Sequence, residues 1–139
     1  MTASRPLVYL GADHAGFDLK EAVKAALAAQ GCDVVDAGTP TAEAADYPDF
    51  AARVAREISR GTGGRGILIC GSGIGMSITA NRFPGVRAAL CLDVETARLS
   101  RLHNDANILV LAARKTETDE ALKIVTAWLE TPFEGGRHQ

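Results

Sequence analysis

The amino-acid sequence predicts an α/β fold of three layers, in which a Rossmann-like, five-stranded parallel sheet lies between two layers of helices. Short apolar runs alternate with stretches of helical periodicity along the whole chain. The connections between them are short, which is typical of β-α units with parallel strands and helices on both faces. At 139 residues, 47% of them hydrophobic, the chain is long enough to bury a sizeable core. We therefore expect one domain over residues 1–139.

Five short apolar runs are predicted to be the strands. Each contains branched or bulky apolar residues and is bounded by turn-forming or polar residues, as strands of a buried sheet are. The runs are Leu7–Leu10, Val34–Val35, Gly66–Ile69, Val86–Leu90 and Ile108–Leu111. A helical stretch separates each run from the next, so the strands are expected to run parallel.

Five helices are predicted between and after these strands. In the first, Leu19, Val23, Ala26 and Leu27 form one apolar face, and Gly31 ends the helix. The second helix contains Phe50, Val54 and Ile58 and is entered through Asp46-Tyr47-Pro48. The third helix is predicted over Ile74–Arg82, and the fourth runs from its cap Asp93 to about Leu102. The fifth helix has Thr116 or Thr118 as its cap and contains Ala121, Ile124, Val125 and Trp128.

Composition and charge exclude several classes of protein. A net charge of -2 argues against a nucleic acid or an anionic membrane as partner. No apolar run approaches the roughly 18 residues of a membrane span, and Met1–Pro6 lacks the apolar core of a signal peptide. Cys32, Cys70 and Cys91 are odd in number and far apart, which does not suggest a disulfide framework. We expect a cytoplasmic protein, with Cys32 and Cys91 in or near the core.

The most informative segment follows the third predicted strand. Cys70 ends the apolar run, and a glycine-rich turn then leads into an apolar helix. This layout places a thiol at the carboxyl end of a strand, next to backbone amides that can hold an anion. The amides belong to the turn residues Gly71, Ser72, Gly73 and Gly75. A thiol beside an anion hole indicates a reaction site.

Other reactive side chains follow the remaining strands and helices. Ligands in such folds bind beyond the carboxyl ends of the strands. We therefore expect these groups to meet Cys70 at one edge of the sheet. Each group also has a structural interpretation, because Asp13 could cap a turn and Asn104 or Asp105 could simply end the fourth helix. The groups are Asp13 and His14, His103 and Asn104, Arg114, and Arg137 and His138 in the polar tail.

The motifs together resemble those of type B ribose-5-phosphate isomerases, whose wider family includes isomerases of galactose and allose 6-phosphates. The resemblance covers nearly the whole chain, in the right order. It rests on Asp13-His14-Ala15-Gly16, Cys70-Gly71-Ser72-Gly73-Ile74-Gly75, Ala80-Asn81-Arg82, His103-Asn104-Asp105-Ala106-Asn107 and Glu134-Gly135-Gly136-Arg137-His138.

The resemblance implies a strand order of 2-1-3-5-4 and a homodimer, often paired further into a dimer of dimers, with the active site at the subunit boundary. It implies a small sugar phosphate as substrate, a reaction of the pentose phosphate pathway, and no metal or organic cofactor. It also implies that residues 131–139 are a C-terminal tail that contributes to the phosphate site.

The resemblance and the chemistry of the reaction together assign the central roles. Isomerisation moves a proton between C1 and C2 through an enediolate, so it needs a base and an anion hole. Cys70 suits the base, and we expect the helix start behind it to lower the pKa of its thiol. The glycine amides suit the anion hole, with Ser72 bonded to a substrate oxygen and Ile74 in the same binding loop. The resemblance assigns opening of the sugar ring to His103.

The remaining roles follow from the resemblance alone. It implies that Asp13 binds substrate near the ring-opening histidine, that Asn104 binds sugar hydroxyls, and that His14, Arg114, Arg137 and His138 hold the phosphate. The chain matches the family version with cysteine as base, because Met76 stands where other members have a glutamate. Members often continue to a second basic residue after the Arg-His pair, whereas this sequence stops at Gln139, and Arg101 is a conceivable substitute.

Two alternatives stay open at this level. Gly71, Gly73 and Gly75 follow a strand, and Asp93 lies 22 residues after Gly71, near the spacing of a dinucleotide-binding module. However, the glycines run G-x-G-x-G, not G-x-G-x-x-G. Within the resembled family, an isomerase of allose or galactose 6-phosphate is the other alternative, because the depth of the pocket cannot be determined from the sequence.

Overall fold

The protein is described here from a computed structural model, which covers residues 6–37, 47–61 and 63–139. In that part of the chain, five strands form one parallel sheet in the order β2-β1-β3-β5-β4. The strands are β1 (Leu7–Ala12), β2 (Asp33–Asp36), β3 (Arg65–Cys70), β4 (Ala88–Leu90) and β5 (Ile108–Ala112). The predicted fold class and strand order are both confirmed.

Helices connect the strands and cover both faces of the sheet. They are α1 (Phe17–Ala29), α2 (Tyr47–Ser59), α3 (Ile74–Ala80), α4 (Val94–Leu102) and α5 (Thr118–Glu130). Short 3-10 turns lie at His14–Gly16 and Gly136–His138. None of the helices in the described ranges is long and apolar enough to cross a membrane.

Two apolar clusters fill the space between the sheet and its helices. Because successive side chains of a strand point to opposite faces, Ile67 and Ile69 of β3 join one cluster, and Leu68 and Cys70 join the other. The first cluster includes buried residues of α1, α4 and α5, among them the fully buried Trp128. The second includes residues of α2 and α3. The alternation therefore points Cys70 toward α2 and α3.

Most predicted element ends agree with the structure. Gly31 has a φ of +85° just beyond α1, which suits glycine as a helix terminator. The Asp93 carboxylate accepts a 2.7 Å hydrogen bond from the Thr96 amide and so caps α4, as predicted. Cys32 and Cys91 are buried, as predicted, and neither forms a disulfide within the described part of the chain. The predicted entry of α2 at Asp46 lies outside the described residues.

The strands β1, β2, β3 and β5 extend one or two residues beyond their predicted runs, and three other predicted boundaries are wrong. The fourth strand begins at Ala88 and not at Val86, because the Val86 amide bonds the Phe83 carbonyl within the preceding turn. The third helix ends at Ala80 and not at Arg82, whose amide bonds the Thr79 carbonyl in a tighter turn. The cap of α5 is Glu117, in extended backbone and without a side-chain hydrogen bond, and neither threonine caps the helix.

Candidate active site

Cys70 is the last residue of β3 and is only 5% exposed. Its sulfur accepts a hydrogen bond from the amide of Gly73, with a nitrogen-to-sulfur distance of 3.1 Å. Gly73 has a φ of +79°, a left-handed conformation that favours glycine. This backbone turn directs the amide back toward the sulfur. The predicted thiol at the end of a strand, next to loop amides, is therefore confirmed.

The expected lowering of the Cys70 pKa is wrong. Burial raises the pKa of the thiol above its usual value, and the nearby charge of Asp13 raises it further. Hydrogen bonds from the backbone amides of Met76, Gly73 and Ser72 lower the pKa, but the loss of solvation is the largest effect. The helix start behind the thiol is visible in the sequence, whereas the depth at which the sulfur is buried is not.

Asp13 and His14 follow β1 at the same edge of the sheet. The Asp13 carboxylate accepts a 3.1 Å hydrogen bond from the Gly16 amide, and the Asp13 amide donates to the Ile69 carbonyl at 3.2 Å. A side chain at Gly16 would place its Cβ 2.6 Å from that carbonyl oxygen, so the turn packs directly on β3. Asp13 thus caps the turn and also lies beside Cys70, while His14 is exposed.

Arg114 and Ser72 complete this group. The Arg114 amide donates to the Gly71 carbonyl at 3.0 Å, and its guanidinium packs against Gly71. The Ser72 hydroxyl accepts a 3.2 Å hydrogen bond from the Ile74 amide. A pocket of about 220 Å³, which we call the thiol pocket, is lined by Asp13, His14, Ala15, Cys70, Gly71, Ser72, Gly75 and Arg114.

His103 lies at the opposite edge of the sheet. It caps the end of α4, and a helix that follows a strand runs back toward the amino ends of the strands. The register confirms this position, because the carbonyl of Asn107 accepts from the Gly66 amide at the start of β3. Cys70 is paired with Ala112 at the other end of β5. Four residues separate this pair from the Gly66–Ile108 pair, which is about 13 Å along the strands.

The C-terminal tail lies beside His103. The Glu134 amide donates to the Leu102 carbonyl at 3.0 Å, and the rings of His103 and His138 stack with centroids 4.1 Å apart. The Glu134 carboxylate lies 3.7 Å from His138 Nε2, and Arg137 Nε lies 3.3 Å from the same nitrogen. We call His103, Glu134 and His138 the histidine cluster. Glu134 was named from the sequence only as part of the tail motif and was given no role, although its Glu-x-x-x-His spacing before His138 was a usable signal.

Arg101 holds the backbone beneath this cluster. It is 5% exposed and donates to the Asp105 carboxylate at 2.8 Å, the Ala106 carbonyl and the Thr131 carbonyl. It therefore joins the loop after α4 to the beginning of the tail. The expectation of Arg101 as a substitute phosphate contact is wrong, because its guanidinium is buried and bonded within the protein.

The expectation that all reactive groups meet at one edge of the sheet within a chain is therefore wrong. Asp13, His14, Ser72 and Arg114 gather around Cys70, whereas His103, Arg137 and His138 gather at the other edge. Asn104 is exposed and lines a separate pocket with Asn81 and Arg87. The error came from treating the end of α4 like the end of a strand, although the two lie at opposite edges.

Comparison with known proteins identifies the family. The Ribose/Galactose Isomerase family model matches residues 8–139. Ribose-5-phosphate isomerase B from Escherichia coli is 46% identical over 132 residues, which is 95% of this chain and 89% of the relative. The chain therefore belongs to the ribose/galactose isomerase family, and the family resemblance read from its motifs is confirmed.

Solved structures agree with this assignment. A ribose 5-phosphate isomerase from Thermotoga maritima superimposes with a TM-score of 0.94 at 50% identity, over 97% of this chain and 93% of that one. Ribose-5-phosphate isomerase B from Mycoplasma genitalium, solved with bound ribulose-5-phosphate, superimposes with a TM-score of 0.93 at 41% identity, over 96% of this chain and 89% of that one. The dinucleotide-binding alternative is not supported, since the Asp93 carboxylate caps α4.

Proposed function

We propose that the protein interconverts D-ribose 5-phosphate and D-ribulose 5-phosphate, a step of the pentose phosphate pathway. The observation that carries this proposal is the thiol pocket, where Cys70 lies with a carboxylate and two basic side chains at the carboxyl edge of the sheet. The family and the named activity of its ribose-5-phosphate isomerase relatives support the same reaction. The three cysteines form no disulfide among the described residues, which is compatible with our expectation of a cytoplasmic enzyme.

The reaction assigned to Cys70 is a proton transfer between neighbouring carbons. The thiolate takes the proton from C2 of the open-chain aldose and returns it to C1, while the proton of the C2 hydroxyl moves to the oxygen on C1. The intermediate is an enediolate, whose negative oxygen the backbone amides of the glycine loop stabilise. A raised thiol pKa makes the thiolate scarcer but a stronger base, which suits a weakly acidic carbon.

A single chain does not bring His103 to its own Cys70, because the two lie at opposite edges of the sheet. We therefore assign ring opening to the His103 of a second subunit in a homodimer. The apolar face of α3 supports such a contact, since Ile74 and Ile78 are 57% and 56% exposed just beyond the glycine loop. In this arrangement, His103 transfers protons to and from the oxygens of the closed sugar before Cys70 acts.

The phosphate and sugar hydroxyls are assigned to groups from both edges. His14 and Arg114 come from the thiol pocket, and Arg137 and His138 of the C-terminal tail come from the other subunit with Asn104. An anionic phosphate suits this set, since arginine guanidinium groups bind phosphate through paired hydrogen bonds. Asp13 stays beside Cys70, where its carboxylate is available to the sugar.

Subunit complementation tests the two-subunit site. Cys70→Ala and His103→Ala should each be nearly inactive alone. When the two variants are mixed and allowed to exchange subunits, a mixed dimer regains one intact site. Random exchange at equal amounts should restore roughly one quarter of the wild-type rate. No recovery after demonstrated exchange would place both groups in the site of one chain, and contradict the homodimeric arrangement.

The substrate assignment is tested by initial rates on ribose 5-phosphate, allose 6-phosphate and galactose 6-phosphate. We expect the ribose compound to be preferred and the activity to survive chelator treatment. A preference for either hexose phosphate would support the alternative within the family. Loss of activity in EDTA, reversed by adding a divalent ion, would contradict a reaction carried by the side chains alone.

A further inference from the structure

The histidine cluster has the composition of a metal site. One donor atom from each of His103, Glu134 and His138 lies within 4.8 Å of the other two. We propose that this cluster binds Zn²⁺, and that the bound ion inhibits the isomerase. The inhibitory part rests on the proposed function, because it assigns His103 to ring opening, whereas the binding part stands on the geometry alone.

The donor set suits zinc better than a harder cation. Two imidazoles and one carboxylate are common zinc ligands, at about 2.0–2.2 Å from the metal. Mg²⁺ and Ca²⁺ prefer oxygen ligands only. Donors around a tetrahedral zinc are about 3.4 Å apart, so the three groups must close by roughly 1.4 Å from their largest separation. Glu134 is exposed and already lies 3.7 Å from His138 Nε2, so rotation of its side chain can provide part of that movement.

The Nε2 atom of His138 already accepts a hydrogen bond and can therefore offer a lone pair to a metal ion. Arg137 Nε donates to His138 Nε2 at 3.3 Å, which places a lone pair of the ring on the side of Arg137 and Glu134. Zinc would take the place of that donor. The stacked rings must also turn, because imidazole lone pairs lie in the ring plane and the two planes differ by only 14°. Histidine χ2 is a broad torsion, so this rotation is inexpensive.

The backbone around the cluster permits the adjustment. Gly135 and Gly136 lie between Glu134 and His138, with φ values of +73° and +58°. These glycines let the tail turn back so that both of its donors face His103. Arg101 holds the other side, since it bonds the Asp105 side chain and the Thr131 carbonyl. The site therefore combines a histidine whose backbone is held at the end of α4 with two donors on an adjustable tail.

Bound zinc would compete with substrate. Coordination occupies the nitrogen that His103 needs for proton transfer and displaces Arg137 from His138. The same groups are assigned to the sugar ring and to the phosphate, so zinc and ribose 5-phosphate should exclude one another. We expect zinc to raise KM for ribose 5-phosphate, and substrate to weaken zinc binding by the same linkage.

The test measures zinc binding by calorimetry on the full chain without a polyhistidine tag, after removal of metals with a chelating resin. We expect one Zn²⁺ per chain and no heat with Mg²⁺. Glu134→Gln should weaken binding by at least about tenfold, because losing a ligand should cost no less than losing its supporting partner. Glu130→Gln, which removes an exposed carboxylate at the end of α5, is the matched control and should bind as the wild type does.

Two results separate this site from the reactive thiol. Cys70→Ala should retain zinc binding, and the rate of Glu134→Gln, compared with and without zinc, should fall less than the wild-type rate does. Loss of binding in Cys70→Ala, undiminished binding in Glu134→Gln, or no binding at all would overturn the proposal. The zinc-free rate of the wild-type enzyme in chelator reports on the proposed function separately, since no metal is present in that assay.

Discussion

The two edges of the sheet carry reactive groups that are held in different ways. At the carboxyl edge, Cys70 is buried, and backbone bonds from Gly73 and around Asp13 fix the thiol pocket. At the amino edge, His103 and His138 are held by ring stacking and by a tail that ends the chain. The carboxyl edge is therefore assembled with the core, whereas the amino edge depends on an exposed segment. If the proposed roles are correct, the group that abstracts the proton is held by the core, and the group that opens the ring is held by an exposed segment.

The largest expected loss of isomerase activity follows from a substitution in the thiol pocket. Cys70→Ala removes the base, so the rate should fall about 10²- to 10⁴-fold with either substrate, as measured by initial rates in both directions. The buried Cys32→Ala and Cys91→Ala variants are matched controls and should stay active. Full activity in Cys70→Ala would show that another group is the base, and the comparison between the two edges would then no longer hold.

The next effect is at the histidine cluster, and it should depend on the substrate. His103→Ala should lose about 10²-fold on ribose 5-phosphate, which rests as a closed ring that must be opened. It should retain more activity on ribulose 5-phosphate, which cannot form a furanose because its phosphate occupies O5, provided that the open-chain ribose 5-phosphate formed from it is released and closes unaided in solution. The measurement is the ratio of initial rates with the two substrates. Equal losses together with lower thermal stability would mean that His103 only caps α4.

A smaller loss of activity is expected at Gly73, where a matched variant at Gly31 separates the cost of backbone strain from damage to the active site. Gly73→Ala and Gly31→Ala both place alanine at positive φ, at a cost of roughly 1–2 kcal/mol in the free energy of unfolding. Alanine at Gly31 meets open space, whereas alanine at Gly73 would collide with Leu90 and move the amide that bonds Cys70. Denaturant unfolding should show a loss for both, and only Gly73→Ala should also lose activity, by about tenfold. An active Gly73→Ala protein would contradict the role of this turn.

The smallest effect is a shift in the pH dependence of thiol chemistry. The Cys70 pKa is raised, so the thiol stays protonated at neutral pH and alkylation by iodoacetamide should keep accelerating above pH 8. Burial raises the pKa of Cys91 to about 11, and this thiol should react more slowly still. Mass spectrometry of the modified protein distinguishes the two sites, and substrate should protect Cys70. An alkylation rate that levels off below pH 7 would show that Cys70 is already a thiolate in the resting protein, and would contradict a raised pKa.

The periodicity of the sequence predicted the architecture well because each element carries a local signal. The apolar face of α1, the cap Asp93 and the glycine after α1 all act within a few residues. The start of β4 was wrong because Val86 and Arg87 have strand-like neighbours but bond a turn and the Asn107 side chain instead. The strand order came from the family resemblance, since nothing local distinguishes one order of parallel strands from another.

The site was predicted in its residues but not in its assembly. The thiol pocket was predicted because strand, thiol and glycine turn are contiguous in the sequence. The position of His103 was wrong because it depends on the direction of α4 relative to the sheet, and the pKa direction of Cys70 was wrong because it depends on burial. The bonds of Arg101 to Thr131 and Asp105 were equally invisible, since they join segments that only the folded chain brings together.

The burial of Cys70 also bears on oxidation. Peroxides attack the thiolate form of cysteine, and the products beyond sulfenic acid are irreversible under most conditions. A thiol whose pKa is raised, and whose sulfur is 5% exposed, presents little thiolate to a peroxide in the resting protein. The same solvent exclusion that raises the pKa therefore keeps Cys70 in its thiol form in the resting protein, so oxidative damage should be confined to the short time in which the thiolate exists.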